Sequence, residues 1–299
     1  MHHLSIGIFG DNELLKKLGK QGTCNDILIY NHGSSDGIYT FMAPRDSERV
    51  HALLQVLQII DVPVIVVNEV TKELAEQIVA IDAMNFESGF IISTSDNMEK
   101  IIKGTSLEQF EFVEDDKDLR EKLKLIDSKP VTENPWAPID NYFMVKSVGT
   151  VVLSAVKGGT IKKHDKLFVQ PLGKEVLVKG IQSQDKDIEE AHAGMRGGFN
   201  LKGVESDELK RGYVLCKDAI VSKKIVVDFK KSKFSKDTAE KGNNVLIAVG
   251  TQVVAGKIEE SEPLTITTEN PVVYFPGQKC IVTSTKVAMP RVIGAGRIN

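Results

Sequence analysis

The chain has 299 residues, of which 41% are hydrophobic, with a formal net charge of −3 and a mean hydropathy of −0.11. That length carries more than one domain, and the near-neutral charge argues against coating of nucleic acid by the whole surface while leaving room for a local basic face. The 3 cysteines contain no C-x-x-C pair and the 6 histidines no H-x-x-x-H pair, which points away from a disulfide framework and a zinc site; the N-terminal apolar run is too short for a secretion signal, so the sequence predicts a cytoplasmic protein with no membrane or DNA partner.

In the first part of the chain, short apolar runs alternate with helical periods, as in a parallel sheet flanked by helices. Strands are predicted at 4–9, 27–31, 38–42, 62–67, 89–93 and 109–113. A helix is predicted over 46–60, with Asp46 and Ser47 as caps and Val50, Leu53, Leu54 and Leu57 on one face. A second spans 71–84 with Leu74, Ile78 and Ile81 inward. The third, 115–127, opens with Asp115, Asp116 and Asp118, where carboxylates suit the helix dipole, and buries Leu119, Leu123 and Ile126.

The segment DSKPVTENPWAP, 127–138, carries Pro130, Pro135 and Pro138 without an apolar period and reads as a connector. Beyond it, short β-rich runs separated by Gly, Asn and Asp turns suggest two consecutive antiparallel barrels. Alternation places Val151, Leu153, Leu167, Val169, Val176 and Val178 toward the core of the first. The predicted organisation is an α/β domain over 1–128, a connector over 129–138 and barrels over 139–217 and 218–299.

The stretch from Tyr142 to Cys216 resembles the second domain of elongation factor Tu and its relatives almost throughout. Its landmarks are Gly149-Thr150-Val151-Val152, Gly159-x-Ile161-Lys162-x-x-Asp165, Ala193-Gly194, Gly203 and Arg211-Gly212-x-Val214-Leu215. The closing RVIGAGRIN resembles the last strand of that family's third domain, and the phrases LGKQGT and NDILIYN resemble a short archaeal branch of elongation-factor paralogues of selenocysteine or pyrrolysine type. The resemblance implies a multidomain fold: a shrunken P-loop-GTPase-like α/β domain followed by two antiparallel β-barrels.

In such a family the first domain binds GTP and magnesium, yet here each expected motif fails. The opening IGIFGDNELLKKLGKQGT, 6–23, leaves only Asp11, Asn12 and Glu13 between Gly10 and Leu14, too few for the eight-residue loop that curls round phosphates. Lys16 and Lys17 lie inside the following helix, while Asp11 and Glu13 put carboxylates where a phosphate would sit and read as helix caps. At the family's D-x-x-G stand Ala43 and Asp46; His51 lies too far along to position a water, and Arg45 with Asp46 reads as a turn and a cap. The guanine-reading N-K-x-D is replaced by Thr94-Ser95-Asp96, the last base-recognition signal by Val113-Glu114-Asp115-Asp116, and Thr23 is the single candidate for the magnesium-binding switch threonine. Joint failure implies lost nucleotide binding, with no cofactor and no catalysis expected.

What the resemblance leaves is binding to tRNA, the ribosome or another translation protein. Carried over by position, Asp140, Phe143, Val145, Val151 and Gln182 would form the pocket for the tRNA 3′ end, the last replacing the family's usual Glu; the barrel core is the competing reading of Phe143, Val145 and Val151. Lys223, Lys224, Lys230, Lys231, Lys233, Lys236 and Lys241 crowd into one stretch that is either an RNA-backbone face or a solvated, aggregation-resistant edge. Two rivals stand beside this reading. One is a divergent GTP-dependent elongation factor for a special aminoacyl-tRNA, with GTP and magnesium held near Gly10, Lys16 or Lys17, and Asp96; the other is a regulatory scaffold that binds protein.

Overall fold

The computed structural model describes residues 2–299 apart from Ser47, Asp96 and Val287, and the side chains of His2 and Thr23 lie outside the description as well. The first sheet has seven strands: β1 (His2–Gly10), β2 (Lys20–Cys24), β3 (Ile27–Gly33), β4 (Gly37–Pro44), β5 (Val62–Val67), β6 (Phe90–Ser93) and β7 (Glu111–Phe112). They lie in the order β2-β3-β4-β1-β5-β6-β7, parallel from β4 through β7 and antiparallel at the β2 and β3 edge. The central strands are apolar on both faces because helices cover both: α1 (Leu14–Leu18) and α5 (Asp116–Leu123) on one side, α2 (Val50–Ile59) and α3 (Lys72–Met84) on the other. A short α4 (Met98–Ile102) precedes β7.

Two closed barrels follow. The first comprises β8 (Trp136–Val145), β9 (Gly149–Ala155), β11 (Lys166–Gln170), β12 (Lys174–Ser183), β15 (Arg196–Lys202) and β16 (Val214–Cys216), with β10 (Thr160–Lys162), β13 (Lys186–Ile188) and β14 (Glu190–His192) as small additions. The second runs β17 (Ile220–Lys231), β20 (Leu264–Tyr274), β19 (Gln252–Ser261), β18 (Asn244–Val249), β21 (Lys279–Ser284) and β22 (Val292–Ile298) around its ring.

Several local expectations change. The helix predicted over 46–60, α2, begins at Val50, not 46: Asp46 accepts from the Glu48 N–H in a tight turn, and Arg49 occupies the N-cap without a side-chain bond. Ser47, the other proposed cap, lies outside the described residues. The last helix of the α/β domain ends at Leu123, and β2 and α4 were not foreseen. The connector's last three residues, Trp136 to Pro138, already belong to β8, and Trp136 is fully buried against Phe275 of the second barrel with ring centroids 5.0 Å apart. In β9 the alternation runs the other way: Thr150, Val152 and Ser154 point into the barrel, so Val151 and Leu153 lie on its outer face. The inward Ser154 is satisfied by donating to the Pro138 carbonyl at 2.7 Å, which lets a polar residue take a core position.

The three domains share one packed body. Helices α2 and α3 bury Leu53, Leu57, Ile78 and Ile81 in one cluster with Ala248, Ile281, Val292 and Ala295 of the second barrel. Within that contact the buried Glu76 carboxylate holds the Arg291 guanidinium and also accepts the Arg291 N–H at 2.8 Å. The first barrel is tied to the α/β domain by the Lys157–Asp61 pair, 4% and 8% exposed, whose carboxylate also accepts from the Ser5 N–H and Ser128 Oγ. Gly194 permits this approach: its φ is +91°, and a Cβ there would stand 2.5 Å from the His3 carbonyl oxygen.

Candidate functional site

Two places answer to the site residues read from the sequence. The first is the corner after β1, where parallel α/β sheets carry ligands beyond the carboxyl ends of their strands. Gly10 has φ +88°, and a Cβ there would stand 2.0 Å from the Val66 carbonyl oxygen, so glycine is required by the closeness of β5. Its N–H donates to Gln77 Oε1 at 2.8 Å. Asp11 accepts from the Glu13 N–H at 2.8 Å and from Asn68 Nδ2 at 2.8 Å, while Asn12 Nδ2 donates to the Pro44 carbonyl at 3.0 Å. The backbone N–H of Gly10 and that of Glu13 are therefore engaged by side chains of the chain itself, and a carboxylate stands at the start of α1.

The other candidates at this corner disperse. Lys16 Nζ turns back to both Glu13 oxygens at 2.7 Å, a hydrogen bond and then a charge that raise its pKa, and Lys17 faces the opposite end of the sheet. Arg45 donates to Cys24 Sγ at 3.2 Å, and His51 is exposed on α2. Asp96 and the Thr23 side chain lie outside the described residues. Among the described residues no His, Cys, Asp and Glu group is arranged to hold a metal ion, and no helix is long and apolar enough to cross a membrane.

The second place is a cleft of about 1020 Å³ between the α/β domain and the first barrel. Its barrel wall is the outer face of four strands. Phe143, Val151, Asn200 and Gly180 form one cross-strand row, and Asn141, Leu153, Gly198 and Gln182 the next. Phe143 keeps 41% of its surface exposed, and Gly180 has nothing within 4 Å of a built Cβ, so the wall is an apolar ledge beside a trough. The opposite wall comes from the end of α1, from β2 and β3 and from α5, with Lys17, Lys20, His32 and Arg120. Arg120 donates to the carbonyls of Lys17 and Leu18, fixing the turn that carries both lysines. Burial, and then the Arg120 charge, lower the His32 pKa.

Four of the five proposed pocket residues thus meet in the cleft: Phe143, Val145, Val151 and Gln182. The core reading of the first three is set aside. Asp140 is the correction. It is 4% exposed and binds Arg196 through both oxygens, at 3.1 and 2.8 Å, so it positions that arginine at the cleft while itself lying behind it. Gln182 spends its amide donor on Asp187 at 2.8 Å. Sequence reading missed Arg196, Asn200, Lys17 and Lys20 as cleft residues; Asn200 Oδ1 is buried without a hydrogen-bond partner among the described residues. No local motif marks them, since they meet only when the two domains pack.

The seven lysines of the basic stretch are all exposed but do not make one stripe. Lys224 and Lys230 share the outer side of β17 with Val226 and Asp228, Lys223 and Lys231 sit at the ends of the inward row of Ile225 and Val227, and Lys233, Lys236 and Lys241 belong to the loop that follows. Lys233 donates to the Gly104 carbonyl of the α/β domain.

The α/β domain with two successive closed barrels and the elongation-factor-like first barrel define the class, and the comparisons bear on the family. Residues 149–216 match the model of elongation factor Tu domain 2. An uncharacterized protein of Methanocaldococcus jannaschii is 34% identical over 100% of both chains. The selenocysteine-specific elongation factor of that organism is 27% identical over 84% of this chain, and elongation factor 1-alpha of Cenarchaeum symbiosum 33% identical over 47% of it. This chain spans 54% and 30% of the lengths of those two factors. The crystal structure of elongation factor SelB from Methanococcus maripaludis with the GTP analogue GppNHp superposes with a TM-score of 0.85 at 22% identity, covering 100% of this chain and 79% of that one. The chain belongs to the elongation factor Tu/1-alpha superfamily and stands close to its selenocysteine-type members.

Proposed function

We propose that this protein is an elongation-factor-like translation protein that binds the 3′ end of a tRNA in the cleft and does so without GTP or magnesium. The cleft carries the reading: an exposed aromatic and aliphatic ledge of Phe143, Val145 and Val151 suits stacking of an unpaired base, and Lys17 and Lys20 face it with charge suited to a phosphate backbone. The corner after β1 supports the second half. With the Gly10 N–H committed to Gln77 and Asp11 at the start of α1, an incoming triphosphate meets a carboxylate and a hydrogen bond it must displace.

The test is fluorescence anisotropy with a labelled acceptor-stem minihelix ending in CCA, free and aminoacylated, with and without millimolar GTP or GDP and magnesium. Saturable RNA binding that nucleotide leaves unchanged is the expected result. A parallel titration with a fluorescent GTP analogue separates the rivals: binding competed by unlabelled GTP returns the protein to the GTP-dependent delivery factors. Absence of RNA binding by folded protein leaves the protein-binding scaffold.

A further inference from the structure

A second cavity, of about 720 Å³, lies where all three domains meet, beside the start of β5 and the ends of α2 and α3. Its apolar lining includes the edge-to-face pair Trp136 and Phe275 together with Phe86. Its charges are unbalanced in a specific way. Lys157 is neutralised by Asp61 and Lys129 by Glu87, and Asp127 has an interaction of its own. Lys279 and Arg297 remain without a close ion pair among the described residues, although Asp228 of β17 stands directly across from Arg297.

These two cations are direct cross-strand partners on β21 and β22. Like charges so placed destabilise a sheet. Both are held in place by neutral groups: Lys279 Nζ donates to the Met84 and Asn85 carbonyls at 2.8 and 3.1 Å, and Arg297 Nη1 to the Gly277 carbonyl at 2.7 Å. Carbonyls orient a cation without cancelling its charge. Burial, and then the neighbouring Arg297, lower the Lys279 pKa against a smaller opposing pull from Glu87, so the ammonium is incompletely compensated.

We propose that this junction cavity is a binding site for a small organic anion, whose acidic group bridges Lys279 and Arg297 and whose flat apolar body lies against the partly exposed Phe275, which the buried Trp136 backs. The site is independent of the RNA cleft, which none of these residues lines. Its walls come from all three domains, so a bound anion favours the packed arrangement over any that separates them.

The experiment titrates the full chain with 8-anilinonaphthalene-1-sulfonate, a flat aromatic sulfonate, and follows its fluorescence in wild type and Arg297→Gln. Arg297 is exposed, so the variant leaves the core untouched, and because its two cross-strand partners are Lys279 and Asp228, one repulsion and one attraction are lost and the anion-free thermal midpoint is expected to stay near that of wild type. One saturable site that weakens about tenfold in the variant, the loss of one charged hydrogen bond, is the supporting result. Inorganic phosphate is the second ligand: it should raise the wild-type midpoint more than that of the variant, a difference that removes the general salting effect. Dye binding unchanged by Arg297→Gln, or no saturable binding in wild type, overturns the proposal.

Discussion

The two ends of the first sheet have been treated differently. At the carboxyl end of β1, the side chains of Asp11, Asn68 and Gln77 make hydrogen bonds at the corner, and three residues separate Gly10 from α1. The opposite end of the same sheet opens onto the cleft: Asn31, a cleft residue, is level with Ser5 through Thr40, five residues or about 17 Å before Gly10. Helix α1 joins the two, starting at the closed corner and delivering Lys17 to the open cleft. The strand and helix are held, whatever either end binds, by the core they bury. Leu14, Leu15 and Leu18 are all in that core.

This contrast can be broken from either side. The largest effect is expected where the architecture that frames both ends is anchored: Glu76→Ala leaves the Arg291 guanidinium without its carboxylate in a buried contact, and should lower unfolding free energy by about 3–5 kcal/mol in urea titrations. At the open end, Phe143→Ala removes a ledge that is already exposed. It should weaken minihelix binding by about 1–3 kcal/mol while the unfolding midpoint stays put, and a fall in stability without loss of RNA would assign Phe143 to packing alone.

Smaller changes sharpen the picture. Lys17→Gln and Lys20→Gln should each reduce the slope of log affinity against log salt by about one, whereas Lys224→Gln and Lys230→Gln do so only if the RNA also tracks along the second barrel. At the closed end, Gln77→Ala frees the Gly10 N–H and should cost about 1 kcal/mol of stability without producing GTP-analogue binding, since Asp11 still faces the ligand. The smallest expected effect is on chemistry in place of energy. Burial raises the pKa of Cys216 and Cys280 to about 12, so both stay as thiols at neutral pH; a thiol reagent should label Cys24 alone in native buffer and all 3 cysteines after denaturation.

The strands of the α/β domain and the landmarks of the first barrel were legible because they are local. VPVIVV can only be a strand covered on both faces, as β5 is, and Thr71 before a 3.6-residue period caps α3 through the Leu74 N–H. The β2 edge escaped notice since KQGTC has no apolar alternation and is held by pairing with β3. The reversed facing of Val151 has the same origin. Three apolar residues in a row, Val151, Val152 and Leu153, do not say which parity is inward, and the choice went against Val151 because the outer face of β9 is itself covered, across the cleft, by another domain.

By itself the sequence determined which motifs are missing and which folds can be built, because loop length, glycine placement and apolar period act within a few residues. It leaves three residues between Gly10 and Leu14, the ground for proposing that this corner does not wrap a triphosphate. Only the tertiary structure decided what stands there instead and where a ligand has room. Gln77 is 67 residues from Gly10, Asp61 is 96 from Lys157, and Lys279 meets Arg297 only across two barrel strands. Contacts of that reach are set by how finished elements pack, and no local pattern in the chain encodes them.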